Sequence, residues 1–451
     1  MKSSVRRWQA AVVSAGLSIL FVAVYGGCNW ITSRRVHVSS FYFKWEHMFP
    51  FVPLMIPAYM SLDLFFIGAF FLCRTNEELR VYSKRIAAAI LIAGSCFLLF
   101  PLRFAFPRPE ASGVLGVAFD WFRDIDAPYN LLPSLHAALL LLVGSIYLRP
   151  LRGNIRIASL CWFILIGVSP LLTYQHHLID ILAGFVLAAY CFYCFPNRLV
   201  RRQVTNNYRV GLYYAAGAVM LVIVTLVFHT WTMLLWWPAI ALTIVSSSYF
   251  GGGPGVYRKI DGRLPWSARL VLAPCLVGQY LSLVYYRRKC RPWDAVTEKI
   301  WIGGRLTRAQ ANEALRSGVT AVLDLTAEFS EPRVLRAVSY RNIPVVDLTT
   351  PTQSQLLDIA RFIADRSREG IVYVHCKIGF SRSAAAIAAY LIMSGHASGA
   401  REAFAIIRRA RPSIVIRPEV VAALDQFESC HQRAQFYDRT FLLALAGRAL
   451  A

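Results

Sequence analysis

A cysteine and an arginine separated by five residues lie where an apolar run meets an alanine-rich segment. Cys376 follows a β-branched run that starts at residue 371, and Arg382 opens a segment that predicts a helix. Backbone N–H groups of such a loop and of the helix N-terminus converge on one spot and favour an anion there. The same field stabilises a thiolate, and the planar fork of an arginine can hold two phosphate oxygens. The pattern predicts a nucleophilic cysteine beside a phosphate-binding loop.

The string 375–383 resembles the HCx5R(S/T) signature of the protein tyrosine and dual-specificity phosphatases, and most of 295–430 resembles that fold. The resemblance implies that Cys376 attacks the phosphate and forms a phosphocysteine intermediate, while Arg382 holds the phosphate. It also implies that Ser383 assists hydrolysis of the intermediate. The other loop residues expected to bind the phosphate are Lys377, Gly379 and Ser381.

A general acid must protonate the leaving oxygen in this chemistry. Asp347 matches the family's acid, because it follows Ile343-Pro344 ahead of a predicted helix. Asp324 and Glu328 also follow a strand and stay open as alternatives, although the simpler interpretation makes each a solvated loop acid.

The residue after the nucleophile indicates a class of substrate. Lys377 adds a second cation to the loop, and in this it resembles family members that act on acidic lipids, such as the mitochondrial phosphatidylglycerophosphate phosphatase. Protein phosphatases also carry basic residues at this position. An acidic phospholipid substrate is the expectation, with a phosphoprotein as the alternative.

A second group of polar residues lies at the ends of apolar segments. Arg108-Pro109 follows one segment, Pro133-Ser-Leu-His136 opens another, and Gln175-His176-His-Leu-Ile-Asp180 opens a third. Ionisable residues at such places are costly and mark functional sites. The four-residue spacing of His176 and Asp180 predicts one helix face, with Asp180 hydrogen-bonded to one imidazole nitrogen and the other nitrogen free as a nucleophile.

These motifs resemble the type-2 phosphatidic acid phosphatase superfamily, whose pattern is KxxxxxxRP, PSGH and SRxxxxxHxxxD. The resemblance implies that His176 attacks a lipid phosphate, His136 protonates the leaving group and Asp180 orients His176. Arg108 would stabilise the developing negative charge.

Three departures from that pattern change the expectation. Pro101 replaces the motif's lysine, so Arg103 would have to substitute for it; Leu135 replaces the glycine of PSGH, and Pro170 replaces the arginine of the third motif. The resulting PSLH and QHxxxD forms resemble the inositol-phosphorylceramide-synthase branch, which transfers phosphorylated headgroups between lipids. Hydrolysis and transfer both stay open for this site.

The composition indicates a membrane protein. Of the 451 residues 57% are hydrophobic and 16% are charged, with a formal net charge of +23, whereas soluble domains are about 25% charged. No basic stretch carries a nucleic-acid-binding motif, so we expect a lipid bilayer and no nucleic acid as partner. Eight spanning helices are predicted near 8–30, 51–72, 86–105, 134–149, 155–172, 177–195, 211–229 and 231–249.

Alternate loops differ in basic charge. Fourteen Lys and Arg lie in the N-terminus and in 73–85, 149–156 and 196–209, against six in the opposite loops, which predicts a cytoplasmic N-terminus and an outer histidine site. The segment 266–286 is apolar but interrupted, and we expect it to lie in the interface without crossing. Because thiolates survive in reducing compartments, the C-terminal domain is expected in the cytoplasm.

The predicted fold class is a multi-pass all-α transmembrane bundle followed by a soluble α/β cysteine-phosphatase domain. Predicted strands near 299–302, 321–325, 340–346 and 371–375 alternate with helices, which favours a mostly parallel sheet. Neither chemistry requires a cofactor or a metal, and we expect none. The predicted domains are 1–250 (transmembrane), 251–294 (interfacial linker), 295–436 (phosphatase) and 437–451 (tail).

Two functions are compatible with these features. The first is a membrane enzyme of phospholipid metabolism with a His-based lipid-phosphate site and a Cys-based phosphomonoesterase site. The second is a membrane-anchored dual-specificity protein phosphatase in signalling, with a degenerate outer site. A transporter is disfavoured, because the sequence has no internal repeats.

Overall fold

In a computed structural model the chain divides into two compact units, residues 1–199 and 200–451. The structure describes residues 5–107, 109–125, 128–198, 206–228 and 231–430. The described part of the first unit consists of helices and the loops that connect them. Its helices are α1 (Arg7–Ser33), α2 (Ile56–Ala69), α3 (Asn76–Leu99), α4 (Gly113–Ile125), α5 (Leu135–Tyr147), α6 (Gly153–Leu172) and α7 (Leu178–Cys194).

Within the described residues, five helical segments of the whole chain are long and apolar enough to cross a membrane. They are Arg7–Ser33, Pro53–Leu72, Asn76–Leu99, Gly153–Leu172 and Tyr208–Phe228.

The other three predicted spans are helical but shorter than the ~20 residues that a perpendicular crossing needs: α5 has 13 residues, α7 has 17, and 236–249 has 14. The third predicted span, 86–105, is displaced, because Thr75 accepts a hydrogen bond from the Glu78 N–H and caps α3 at its earlier start. The sequence did not predict α4.

A close helix contact joins α5 to α7. A Cβ on Gly184 of α7 would lie 2.3 Å from the Ser134 carbonyl oxygen, so only glycine permits this approach. The Ser134 N–H donates to the Asp180 carbonyl at 2.9 Å, and the Ser134 hydroxyl caps α5 by accepting from the Ala137 N–H at 3.2 Å. The start of α5 and the start of α7 therefore lie side by side.

The second unit begins with helices and continues into an α/β domain. Its elements are α8 (Tyr208–Phe228), α9 (Trp236–Tyr249), α10 (Trp266–Val271), α11 (Ala273–Arg287), β1 (Trp293–Thr297), β2 (Ile300–Gly303), α12 (Arg308–Arg316), β3 (Val319–Thr326), β4 (Ser339–Val345), α13 (Gln353–Arg366), β5 (Ile371–His375), α14 (Arg382–Met393), α15 (Ala400–Ala410) and α16 (418–430).

The sheet of the described residues has five strands in the order β1-β2-β5-β3-β4. The pairs β2–β5, β5–β3 and β3–β4 are parallel, and β1 is an antiparallel edge strand that the sequence did not predict. Helices α13, α14 and α15 share one apolar core with the sheet, and α12 packs into a second core. Because β3, β4 and β5 are parallel, their carboxyl ends meet at one edge, where ligands bind in such folds. The predicted fold class is confirmed.

Helices α8 and α9 belong to the same compact unit as the α/β domain, whereas the boundary drawn from the sequence follows residue 250. The segment 264–287 is attached to the α/β domain at both ends. The Leu264 N–H donates to the Ser330 hydroxyl at 3.0 Å, and the Arg287 guanidinium donates to the Arg305 carbonyl at 2.8 Å. Arg305 in turn donates to the Ser330 carbonyl at 2.9 Å, so the two attachments are adjacent.

Candidate active sites

The loop that connects β5 to α14 is seated on the end of β2. It starts at Cys376, directly after β5, and ends at Arg382, the first residue of α14. Gly379 has φ +86°, and a Cβ there would lie 2.6 Å from the Gly303 carbonyl carbon. Glycine is the residue that accepts both the left-handed backbone and the close approach. The loop's path thus depends on glycine at position 379.

The Cys376 sulfur is nearly buried and accepts hydrogen bonds. The residue is 3% exposed; the Gly379 N–H lies 3.3 Å from the sulfur and the Ser383 hydroxyl 3.1 Å. Burial alone would raise the pKa of the thiol, but the Arg382 charge and the Ser383 hydrogen bond lower that pKa below its ordinary value. The site therefore favours a thiolate, the nucleophilic form of cysteine.

The Arg382 guanidinium is fixed by a buried carboxylate. Glu328 accepts from its two terminal nitrogens at 2.7 and 3.1 Å, and the Val345 carbonyl accepts from Nη1 at 2.8 Å. Burial would lower the pKa of Arg382, but Glu328 and Asp347 raise it well above its ordinary value. The idea that Glu328 is a solvated loop acid is wrong: it is 1% exposed and holds Arg382 in place.

Asp347 lies beside the two cations of the site. Its Oδ1 is 3.1 Å from Arg382 Nη2, and its Oδ2 is 3.5 Å from Lys377 Nζ. Burial would raise the pKa of Asp347, but these two cations lower it and so favour the carboxylate form. Its side chain is 28% exposed, whereas those of Asp324 and Glu328 are 0% and 1% exposed. Asp347 is thus the acid among these three that a substrate can reach.

Two further residues shape the loop. Ser381 is half-buried and immediately precedes α14. Arg411 donates to the Ile378 carbonyl at 2.9 Å and to Asp294 Oδ2 at 2.7 Å, which ties the loop to the edge strand β1. Arg411 is 1% exposed. In the sequence Arg411 is part of an Arg-Pro pair after a predicted helix, but no sequence pattern indicated that it contacts the loop between β5 and α14.

A buried ionic cluster lies behind the cysteine. Lys259 Nζ is 2.6 Å from Asp324 Oδ2, and the Thr326 hydroxyl accepts from the same ammonium at 2.9 Å. Asp324, Glu331 and His375 each offer a ligand atom within 4.8 Å of the others, the spacing of a metal site. The Lys259 ammonium already supplies a positive charge to this group. Asp324 is therefore a buried structural acid, so the idea that it is a solvated loop acid is wrong as well.

The histidine motifs of the first unit meet where α5 and α7 begin. His136 and His176 lie close enough to interact electrostatically. The His136 ring stacks on Tyr59 with centroids 4.4 Å apart, and its Nε2 lies 3.2 Å from the Ile166 carbonyl oxygen. His176 is 5% exposed, and among the described residues its Nδ1 has no hydrogen-bond partner.

The expected hydrogen bond between His176 and Asp180 is not formed. His176 Nδ1 and Asp180 Oδ2 are 3.7 Å apart, longer than a hydrogen bond, and Oδ2 instead accepts from the His177 N–H at 2.8 Å. Because α7 begins at Leu178, His176 lies outside the helix and the four-residue helical spacing does not apply to it. Asp180 caps α7 and remains next to His176.

His177 has a different surrounding from His176. Its Nδ1 is 3.1 Å from the buried Glu46 carboxylate, and its Nε2 accepts from the Ala105 N–H at 3.2 Å. Both ring nitrogens of His177 are therefore engaged by neighbouring groups.

Of the two arginines predicted for this site, only Arg103 lies within the described residues. Arg103 is exposed, and its backbone N–H donates to the Ser39 carbonyl at 2.9 Å. Arg108 lies outside the described residues. The structure therefore gives neither guanidinium a described contact with the histidines.

Comparison with known proteins identifies both parts of the chain. Residues 300–430 match the model for the catalytic domain of dual specificity phosphatases, and residues 50–194 match a model of the PAP2 superfamily. Dual specificity protein phosphatase 1B of Arabidopsis thaliana is 30% identical over 132 residues, which cover 29% of this chain and 78% of that protein.

Phosphatidylglycerophosphatase and protein-tyrosine phosphatase 1 of Mus musculus is 39% identical over 92 residues, which cover 20% of this chain and 47% of that protein. The matched part spans about half or less of the length of several curated relatives. The crystal structure of Tk-PTP in its active form is 28% identical with a TM-score of 0.29, covering 31% of this chain and 97% of that one.

The C-terminal match covers most of a whole relative, and it falls on the domain that holds Cys376 and Arg382. The chain therefore belongs to the dual-specificity phosphatase family and carries a PAP2-superfamily domain in the same polypeptide.

Proposed function

We propose that the second unit hydrolyses the phosphomonoester of an acidic phospholipid, with Cys376 as nucleophile. The observation that carries this proposal is the convergence of the Cys376 sulfur, the Arg382 fork and the half-buried Asp347 carboxylate at one edge of the sheet. Each supplies one requirement of phosphoryl transfer: a thiolate, a clamp for the phosphate oxygens and a proton donor.

The reaction has two steps. The Cys376 thiolate attacks phosphorus, the bond to the leaving oxygen breaks, and Asp347 gives that oxygen its proton. Water then attacks the phosphocysteine, gives a proton to Asp347 and releases phosphate and the thiolate, which Ser383 stabilises by its 3.1 Å hydrogen bond. Arg382 and the loop N–H groups bind the phosphate oxygens in both steps.

Asp347 must be protonated to act as the acid. The neighbouring Arg382 and Lys377 cations lower the pKa of Asp347. A bound phosphate dianion draws on the same cations and adds negative charge, and both effects raise the pKa of Asp347. Substrate binding thus prepares the proton donor.

Three features support a lipid over a protein substrate. The catalytic domain shares a compact unit with the apolar helix α8. Lys377 adds a cation that suits polyanionic headgroups, and the relative named phosphatidylglycerophosphatase and protein-tyrosine phosphatase 1 has a phospholipid as well as phosphotyrosine in its name. Attachment to a membrane also raises the effective concentration of a substrate held in that membrane.

The attachment of 264–287 supports a cytoplasmic catalytic domain. A segment whose two ends contact adjacent residues of one domain starts and finishes on the same side of the bilayer. Such a segment fits the interfacial helix expected for 266–286, and α8 and α9 then form a hairpin (the α8–α9 hairpin) with both ends at the cytoplasmic face. Basic residues on the inner loops agree with this topology.

We propose that the first unit has a second lipid-phosphate site, with His176 as nucleophile, His136 as proton donor and Asp180 as their electrostatic partner. The adjacency of the two histidines supports this role. Hydrolysis and transfer of a phosphorylated headgroup are both compatible with these residues, and the site faces the outer side.

The test uses purified full-length protein in mixed micelles, with phosphatidylglycerophosphate, phosphatidic acid or a phosphotyrosine peptide as substrate. The proposal is supported if the protein releases phosphate from the lipids, if Cys376→Ser abolishes this release, and if the His176→Ala variant still shows it. Turnover of the peptide alone would support the signalling alternative instead. A reporter fused after Ala451 should be active in the cytoplasm, and activity only outside would overturn the topology.

A further inference from the structure

The loop that carries Asp347 is bound to a residue at the start of a membrane helix. We propose that Asn207 is a positioning residue for this loop, so that the α8–α9 hairpin sets the geometry of proton donation in the Cys376 site. The inference rests on the proposed role of Asp347 as general acid.

The backbone next to Asp347 is held in an unusual conformation. Leu348 has φ +60°, in the left-handed region that non-glycine residues rarely adopt, and its N–H donates to Asp347 Oδ1 at 3.1 Å. Such conformations cost energy and persist where the surroundings impose them. The Leu348 carbonyl accepts from Asn207 Nδ2 at 2.7 Å, across 141 positions of sequence. This hydrogen bond is therefore a contact that can impose the conformation.

Both polar atoms of the Asn207 side-chain amide form hydrogen bonds. Its Oδ1 accepts from the Val210 N–H at 3.3 Å and so caps α8, which leaves Nδ2 as the donor to the loop. Its backbone N–H donates to the Tyr249 carbonyl at the end of α9, at 3.0 Å. One residue thus joins both ends of the α8–α9 hairpin to the acid loop.

The end of α9 also lies near the loop that carries Asp347. Tyr249 is 1% exposed, and its ring stacks on Tyr214 of α8 with centroids 5.6 Å apart. Its hydroxyl is close enough to interact electrostatically with Asp347 and Arg382. The end of α9 is thus packed near the acid loop, and Asn207 joins the two by hydrogen bonds to the Tyr249 and Leu348 carbonyls.

The decisive variant is Asn207→Asp in the full-length protein. Aspartate retains the acceptor that caps α8 but replaces the donor to Leu348 with a carboxylate oxygen, which repels the carbonyl. Asn207→Ser retains a hydroxyl oxygen that can cap α8 and replaces the amide donor to Leu348 with a shorter side chain, without adding charge. Asn206→Asp introduces the same charge one position away, on an exposed side chain, and serves as the matched control.

The readout separates proton donation from phosphate binding. With an alkyl phosphate such as phosphatidylglycerophosphate, whose leaving group needs a proton, both Asn207 variants should lower kcat about 5- to 10-fold. With an aryl phosphate of low leaving-group pKa the loss should be under about 2-fold. Inhibition by inorganic phosphate should be unchanged, because the loop that holds Cys376 is untouched. Asn206→Asp should behave as wild type with both substrates.

Asp347→Ala is measured in parallel to separate the two claims. If Asp347→Ala shows the leaving-group dependence and the Asn207 variants match wild type, the positioning role is wrong and the proposed acid stands. If Asp347→Ala lacks that dependence, the acid assignment itself fails. Equal losses for both substrates in the Asn207 variants would indicate general destabilisation and would also overturn the positioning role.

Discussion

Replacing Glu328 with glutamine tests how Arg382 is oriented. Glu328 accepts two hydrogen bonds from the guanidinium, at 2.7 and 3.1 Å, inside the protein. Glutamine retains one acceptor oxygen and loses the charge and the second acceptor. A hydrogen bond to a charged group contributes about 1.5–3 kcal/mol. The loss of one such bond corresponds to about a 10- to 150-fold lower kcat/KM.

The smaller end of that range is expected, because the Val345 carbonyl still accepts from Arg382. Without the Glu328 charge, the guanidinium turns toward Asp347, its second carboxylate partner at 3.1 Å. Arg382 then grips phosphate less well, and the inhibition constant of inorganic phosphate should rise together with KM.

Initial rates are measured with full-length protein in micelles, well below the melting temperature of each variant. Glu369→Gln is the matched control, since Glu369 pairs with Arg366 at 2.9 Å on the surface and should show no kinetic change. An unchanged phosphate inhibition constant in Glu328→Gln would refute the idea that the buried fork positions Arg382.

Three further predictions follow from the same geometry. Lys377→Met removes a cation that lowers the pKa of Asp347, so the pKa of Asp347 should rise in this variant. Because Asp347 must be protonated to act as the acid, the alkaline limb of the kcat–pH profile should move to higher pH. Lys259→Met leaves the buried Asp324 charge without its partner at 2.6 Å, so the free energy of unfolding of the second unit should fall by about 3–5 kcal/mol in chemical denaturation. His176→Ala should abolish the lipid-phosphate reaction of the first unit and leave turnover by the second unit unchanged, as measured with each substrate in turn.

Each of these has a control and a contradicting result. Lys377→Arg retains the charge and should leave the alkaline limb near its wild-type position; an unmoved limb in Lys377→Met would contradict the pKa argument. Lys299→Met changes an exposed lysine and should cost under about 0.5 kcal/mol; equal stability of Lys259→Met would contradict the buried pair. For the histidine site the control is His37→Ala, which changes an exposed histidine. Wild-type activity of His176→Ala at this site would show that His176 is not the nucleophile.

The sequence was most informative where the determinants are local. The strand, loop and helix around Cys376 follow each other within 371–393, so periodicity and the loop residues predict their arrangement directly. Helices α12 and α13 are likewise capped by Thr307 and Thr352, each with a glutamine three residues later in a capping box.

Long-range partners could not be predicted in the same way. Glu328 meets Arg382 across 54 positions and Asn207 meets Leu348 across 141, and neither residue has a local pattern that names its partner. An acidic residue after a strand is compatible with a proton donor, a surface acid or a buried partner, and only the packing decides among them. The helical spacing of His176 and Asp180 failed for a local reason, since α7 starts after His176.

The most direct test of the central claim is to identify the residue that carries phosphate during turnover. Ser383→Ala removes the hydrogen bond to the Cys376 sulfur and should slow hydrolysis of the intermediate. After incubation of this variant with phosphatidylglycerophosphate and rapid quenching, mass spectrometry should find phosphate on the peptide that contains Cys376. Phosphate on His176 alone, or labelling of Cys376 by phosphopeptides but never by the lipid, would contradict the account.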